Sequence, residues 1–122
     1  MHRFRWLSFS LIFLFSCGKS LPEIEGFDRE AFAVDKNACN GNRTKMMAIL
    51  EKNKNELLAL SQMDIVKVLG RPDQNELYKR NQKFFYYFIT PAPQCGTPSD
   101  SVSRRLIIRF NAMGLAKEIY LE

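Results

Sequence analysis

The chain has 122 residues, 18 of them basic and 13 acidic, which gives a net charge of +5 with histidine neutral. This length indicates one domain, and the dispersed charges argue against a nucleic-acid-binding protein. The only histidine is His2, so the rest of the chain excludes Ser-His-Asp and Cys-His catalysis and the histidine ligands of most catalytic zinc sites.

The first predicted element is a signal peptide over residues 1–16. Two arginines precede an apolar segment over residues 6–15, which is shorter than the roughly 20 residues that a membrane-spanning helix needs. The following Ser16-Cys17 resembles the lipobox of bacterial lipoproteins, in which a cysteine after a small residue is acylated and becomes the N-terminus. That resemblance implies palmitate on Cys17. A plain secretory signal and an uncleaved anchor are the alternatives.

Cleavage before Cys17 would leave 106 residues, with 16 basic against 13 acidic side chains and a net charge of +3. The product would be anchored by lipid in the cell envelope. Because Gly18 rather than an aspartate follows the cysteine, we expect the outer membrane, with the domain facing the periplasm. Cys39 and Cys95 would remain, and an even pair in an oxidising compartment predicts a disulfide, worth about 4 kcal/mol. Two free, buried thiols are the alternative.

Residues 17–38 are predicted to form a tether followed by a docking arm. Their sequence has no sustained period, and the apolar residues Phe27 and Phe32 stand in a polar stretch. Isolated apolar residues of this kind can dock a terminal arm onto a domain. The domain itself is predicted to span residues 39–122.

Two helices are predicted at the start of this domain. Apolar residues at spacings of three and four predict a helix from Arg43 to about Leu60. The second helix is short. Ser61 is placed to cap its N-terminus, Gly70 is placed to end it in the left-handed conformation, and Pro72 forbids its continuation.

The rest of the chain is predicted to form strands. Aromatic and β-branched residues separated by turn residues indicate strands over 76–81, 83–89, 104–110 and 115–121. A Pro-rich loop over residues 90–103 precedes the final hairpin. The predicted fold class is therefore α+β, with two N-terminal helices packed on a three- to four-stranded antiparallel sheet.

The order of these elements on a lipidated chain resembles the BamE/SmpA family of small outer-membrane lipoproteins. The residues that carry the resemblance are Leu60-Ser61-x-x-Asp64-Ile65-Val66-x-Val68-Leu69-Gly70-x-Pro72, Phe85-Tyr86-Tyr87, and Leu106-Ile107-Ile108-Arg109-Phe110-Asn111-x-x-Gly114. Modules of the β-lactamase-inhibitor type share this signature. The family's partner-binding residues lie outside the matched positions. A separate aromatic-Asp-Cys-Arg element over residues 27–43 resembles one in uncharacterised small lipoproteins.

One face of the aromatic strand is expected to point away from the helices. Leu106, Ile108 and Phe110 form the apolar alternate set of their strand and should face the helices. In residues 84–89 both alternating sets are apolar, so the set that points outward needs another cover. A central strand buried on both faces, or a surface that stacks sugars or bases, are alternative interpretations.

The predicted partner site is a groove on that outward side. We expect the arm with Phe27 and Phe32 to cover the outward set in part, leaving a groove beside Cys95 that is edged by residues 91–103. The candidate partner-binding residues are Tyr86, Tyr87, Pro91, Pro93 and Gln94.

The available side chains favour a non-enzymatic protein. Asp28 and Asp35 are the best candidates for a carboxylate site, but capping of turns or pairing with Arg43 explains them more simply. No metal or other cofactor is expected. The leading function is a binding or outer-membrane assembly-support module with an unidentified envelope protein as partner. The alternatives are a proteinaceous inhibitor of an envelope hydrolase and a weak carboxylate-based hydrolase.

Overall fold

The structure is a computed structural model that describes residues 20–96 and 102–122. The predicted signal peptide, the lipid-attachment site at Cys17 and residues 97–101 of the Pro-rich loop lie outside the described residues. In the described part, no helix is both long enough and apolar enough to cross a membrane.

In residues 20–96 and 102–122, four antiparallel strands form one sheet in the order of the chain. The strands are β1 (Gln74–Tyr78), β2 (Gln82–Phe88), β3 (Arg105–Phe110) and β4 (Ala116–Leu121). The α+β class is confirmed, and the sheet has four strands. The first strand starts two residues earlier than predicted and stops at Tyr78, because residues 79–81 form a tight turn in which Arg80 has a φ of 61°.

Within the described residues, four α-helices lie N-terminal to the sheet. They are α1 (Arg29–Val34), α2 (Asn42–Lys45), α3 (Met47–Asn53) and α4 (Gln62–Leu69). The prediction of one helix from Arg43 to Leu60 is wrong, because the helix breaks at Met46 and becomes a 3-10 turn after Asn53. The Asn53 side chain donates to the carbonyl oxygen of Ile49. Such side-chain competition for the backbone weakens a helix.

The helices cover one face of the sheet and form the core with it. The buried side chains include Phe32, Leu50, Leu57, Ile65, Leu69, Phe85, Tyr87, Leu106, Ile108 and Phe110. Leu106, Ile108 and Phe110 thus face the helices, as predicted. Phe32 is also fully buried in this core, so the domain begins before residue 39 and includes α1.

The predicted N-terminal cap of α4 is present, and Gly70 ends the helix in a different conformation from the predicted one. The Ser61 hydroxyl accepts a hydrogen bond from the Asp64 backbone N–H at 3.2 Å. Gly70 follows the helix with a φ of 83°, but its ψ of −175° is extended rather than left-handed helical. A Cβ atom on Gly70 would lie 2.6 Å from the Ala33 Cβ, so α1 can approach α4 only because residue 70 has no side chain.

We expect Gly70→Ala to lower the free energy of unfolding by about 2–3 kcal/mol, because it adds a steric clash to an unfavourable φ. Gly41→Ala is the matched control. Gly41 has a φ of 82°, but a Cβ there meets nothing within 4 Å, so its cost should be about 1 kcal/mol. Urea denaturation measures both values. Equal losses would show that the contact with Ala33 is unimportant.

Candidate functional site

The sheet has a second face, turned away from the helices, which we call the outer face. The strand register places on it Gln74, Glu76, Tyr78, Phe84, Tyr86, Phe88, Arg105, Ile107, Arg109, Glu118 and Tyr120. The candidate site is built on this face.

Three aromatic side chains form a row across β1 and β2, which we call the aromatic row. The ring centroids of Tyr78 and Phe84 are 6.0 Å apart in an edge-on contact, and those of Phe84 and Tyr86 are 6.1 Å apart and nearly parallel. Tyr78 is 53% exposed. Flat rings that remain open to solvent are a common feature of binding surfaces, because they bury a large apolar area with little loss of side-chain entropy.

Arg105 ends this row. Its guanidinium carbon lies 4.7 Å from the centroid of the Tyr86 ring, a distance suited to a cation–π contact. The other outer-face cation, Arg109, pairs with Glu118 at 2.7 Å, and this pair lowers the pKa of Glu118. Arg105 forms no ion pair with any residue of segments 20–96 and 102–122, so its charge is free to meet an anionic group.

Tyr86 is fixed by its own polar partner. Its hydroxyl donates to the Glu76 carboxylate at 3.0 Å. Burial and this hydrogen bond raise the pKa of Tyr86, so the phenol stays protonated at neutral pH. Glu76 and Arg105 therefore hold the Tyr86 ring from two sides.

A groove of about 590 Å³ opens beside Arg105, and we call it the end groove. Its lining residues are Gln74, Phe88, Pro93, Gln94, Val102, Ser103, Arg105 and Glu122. The lining combines apolar side chains with amides and charged groups, a composition that suits a side chain of a protein partner.

One wall of the end groove is formed by two chain segments that the predicted disulfide joins. Cys39 and Cys95 are bonded, with their Cα atoms 5.4 Å apart, which confirms that prediction. The carbonyl oxygen of Asn37 accepts a hydrogen bond from the Ala92 N–H at 3.0 Å. Ala38 and Ala92 pack on Phe88 and bury it. We call residues 36–40 together with 91–95 the disulfide corner.

The expectation that Phe27 and Phe32 cover the outward aromatic set is wrong. Their rings contact each other at 5.3 Å, and Phe32 reaches Tyr87 on the helix side of the sheet. The disulfide corner supplies the cover instead, at one end of the outer face. Tyr86 is half-buried beneath Arg105, and Tyr78 at the other end of the aromatic row is 53% exposed.

A buried ion pair anchors the corner to the sheet. Arg43 is fully buried, and its Nη1 lies 2.5 Å from Asp73 Oδ2. Asp73 also accepts the backbone N–H groups of Asn37 at 3.0 Å and Phe88 at 2.8 Å. The pairing of Asp73 with Arg43 is not predictable from the sequence, because no local pattern links residues thirty positions apart.

The other carboxylates have structural roles. Asp28 caps α1 by accepting the Ala31 N–H, and Asp35 accepts the N–H groups of Asn40 and Arg43. Hydrogen bonds to backbone N–H groups therefore explain both residues, while the side chain of Arg43 pairs with Asp73 and not with Asp35. No group of three His, Cys, Asp or Glu side chains in the described ranges is arranged to hold a metal ion.

The predicted partner-binding residues divide between the two faces. Tyr86 lies on the outer face, and Pro93 and Gln94 line the end groove. Pro91 is half-buried, and its carbonyl oxygen accepts a hydrogen bond from Ser103. Tyr87 is fully buried, and its hydroxyl donates to the Gly70 carbonyl oxygen at 2.8 Å, so it belongs to the core and is unavailable to a partner. Burial raises the pKa of Tyr87 far above its ordinary value.

Comparisons with protein-family models, with curated proteins and with solved structures find no match to this chain.

Proposed function

We propose that this protein is a non-enzymatic binding module of the bacterial cell envelope that holds a partner protein against its outer face. The observation that carries the proposal is the position of Arg105, stacked on Tyr86 between the aromatic row and the end groove. The matching partner surface has apolar side chains that pack on the aromatic row and a carboxylate that pairs with Arg105. Such a surface combines area for packing with a charge that fixes orientation.

The proposal includes an N-terminal lipid on Cys17 that anchors the domain at the outer membrane. Its support is the basic and apolar segment before Ser16-Cys17, together with the resemblance to the BamE/SmpA lipoproteins. An anchored domain with an open binding face suits a role in supporting the assembly of a membrane protein complex.

The test is capture of the partner by the full-length chain, tagged at its C-terminus and cross-linked in intact envelopes. Arg105→Ala should reduce the amount of captured partner about tenfold, because a hydrogen-bonded charge contact is lost. The melting temperature should stay nearly constant, since no described ion pair is broken. Quantitative mass spectrometry of the cross-linked species gives the readout.

Arg104→Ala is the matched control. Arg104 is the neighbouring residue and is exposed, whereas Arg105 is half-buried, and the Arg104 guanidinium lies beside Met47, away from the outer face. Capture should be unchanged in this variant. Equal losses in the two variants, or none in either, would contradict the proposed surface. A single captured hydrolase that loses activity on binding would replace assembly support with inhibition.

A further inference from the structure

The strand β1 lies at one edge of the sheet, and no strand of the described part of the chain pairs with its free edge. All five of its residues are exposed, including the apolar side chain of Leu77 at 73%. An exposed edge strand offers unpaired N–H and C=O groups to another chain.

The hydrogen bonds of the sheet show which groups are unpaired. The Ile89 N–H, just after β2, donates to the carbonyl oxygen of Arg104 at 2.8 Å. Because main-chain groups alternate in direction along a strand, the odd-numbered residues of β2 point their N–H and C=O groups toward β3. The even-numbered residues of β2 point theirs toward β1. Through the register of Glu76 with Phe84, the even-numbered residues of β1 pair with β2. Asn75 and Leu77 therefore point their N–H and C=O groups toward the free edge.

This edge lacks the usual protection. Sheet edges are commonly guarded by lysine, proline or a bulge. The other edge strand, β4, contains Lys117 and Glu118, and its pairing with β3 is irregular near Phe110. Between Gln74 and Tyr78 the only charged residue is Glu76, and its carboxylate already accepts the Tyr86 hydroxyl.

We propose that β1 binds an extended segment of a partner protein as a fifth, antiparallel strand, with acidic residues at the N-terminal end of that segment. The inference rests on the proposed function and specifies how the partner is held. An antiparallel segment starts opposite Tyr78, beside the exposed residues Lys79 and Arg80 of the following turn. Neither of these cations pairs with a described residue, so they attract an acidic start to the segment.

A second copy of this chain fits the edge less well. A dimer would pair the β1 strands of two copies. In the antiparallel register in which Asn75 and Leu77 both form main-chain hydrogen bonds, Glu76 of one copy lies directly opposite Glu76 of the other. Like charges directly opposite each other destabilise a pair of strands. A heterologous segment has no such conflict.

The test uses the full-length chain in detergent and a fluorescent heptapeptide of sequence DDVTVTV, acetylated and amidated. Binding is measured by fluorescence anisotropy, and amide hydrogen exchange locates it. We expect saturable binding in the millimolar range or tighter, with slower exchange at Asn75 and Leu77. The control peptide KKVTVTV should bind about tenfold more weakly, because its lysines face Lys79 and Arg80.

Two substitutions at one position separate the main chain from the side chain. Leu77→Pro removes the edge N–H and should weaken binding of DDVTVTV about tenfold, while Leu77→Ala keeps that N–H and should bind within about threefold of the parent. If Leu77→Pro fails to fold, Asn75→Pro makes the same test at the other outward residue. Amide hydrogen exchange of the unmodified chain with DDVTVTV tests the same contact without any substitution.

Three results would overturn the proposal. The first is that DDVTVTV shows no saturable binding, and the second is that the proline variants bind it as tightly as the parent protein. The third is that self-association protects the β1 amides from exchange when no peptide is present. The peptide assay needs no native partner. If the peptide does not bind, strand addition is rejected, but the proposed binding of a partner to the outer face is not. If Arg105→Ala does not reduce partner capture, binding to the outer face is rejected.

Discussion

Asp73→Asn should lower the free energy of unfolding by about 3–5 kcal/mol, because it leaves the charge of Arg43 buried without its partner. The two side chains of this pair are 0% and 2% exposed, so water cannot replace the lost carboxylate. Asparagine keeps the size of the side chain, but its NH2 group faces one of the N–H groups that now donate a hydrogen bond to Asp73, so two donors would meet. Urea denaturation followed by far-UV circular dichroism measures the change.

Glu118→Gln is the control for this prediction. The Arg109–Glu118 pair has the same chemistry, but Glu118 is 57% exposed, and exposed pairs contribute under about 1 kcal/mol. Since Arg109 lowers the pKa of Glu118, the small contribution of this pair is present at neutral pH and disappears as the pH falls through that lowered pKa. Similar losses in the two variants would show that burial of the Arg43–Asp73 pair does not matter.

The strands could be predicted because their information is local. Alternation of apolar residues in β3 assigned Leu106, Ile108 and Phe110 to the helix side, and the pairing of Ile108 with Phe85 agrees. In β2 alternation was uninformative, since both sets are apolar. Long-range packing determines which set is core, and one such contact, between Phe32 and Tyr87, joins residues 55 positions apart.

The helical region was less predictable for a similar reason. No proline or glycine marks the break at Met46, and apolar residues at spacings of three and four continue across it with one polar interruption, at Lys54. Arg43 reads as a polar residue at the start of a helix, yet it is fully buried between Phe32 and the end of β2. The partner that makes its burial possible is Asp73, which the fold supplies after α4 and the sequence pattern does not reveal.

The candidate site was predicted in part. The groove beside Cys95 is present, and Pro93 and Gln94 line it. Its cation, Arg105, is not among the predicted partner-binding residues, because a sequence cannot show that its guanidinium stacks on Tyr86 across a strand pair.

Replacing Cys39 and Cys95 together with serine should lower the free energy of unfolding by about 2–5 kcal/mol, because the bond restricts a long loop of the unfolded chain. The two cysteines are 56 residues apart. Thermal unfolding of the double variant and of the reduced parent should give the same decrease in melting temperature. An unchanged melting temperature after complete reduction would contradict the prediction.

In the folded state, loss of the disulfide should destabilise mainly the disulfide corner. Without the disulfide, the disulfide corner stays attached mainly through the hydrogen bonds of Asn37 to Asp73 and Ala92. Amide exchange should therefore accelerate first in residues 36–40 and 91–95, while Leu106 and Ile108 at the centre of the sheet stay protected. Because the corner forms the wall of the end groove, partner capture should fall in the double variant at temperatures where the sheet is still folded. Full capture by a folded double variant would mean that the partner binds elsewhere than in the end groove.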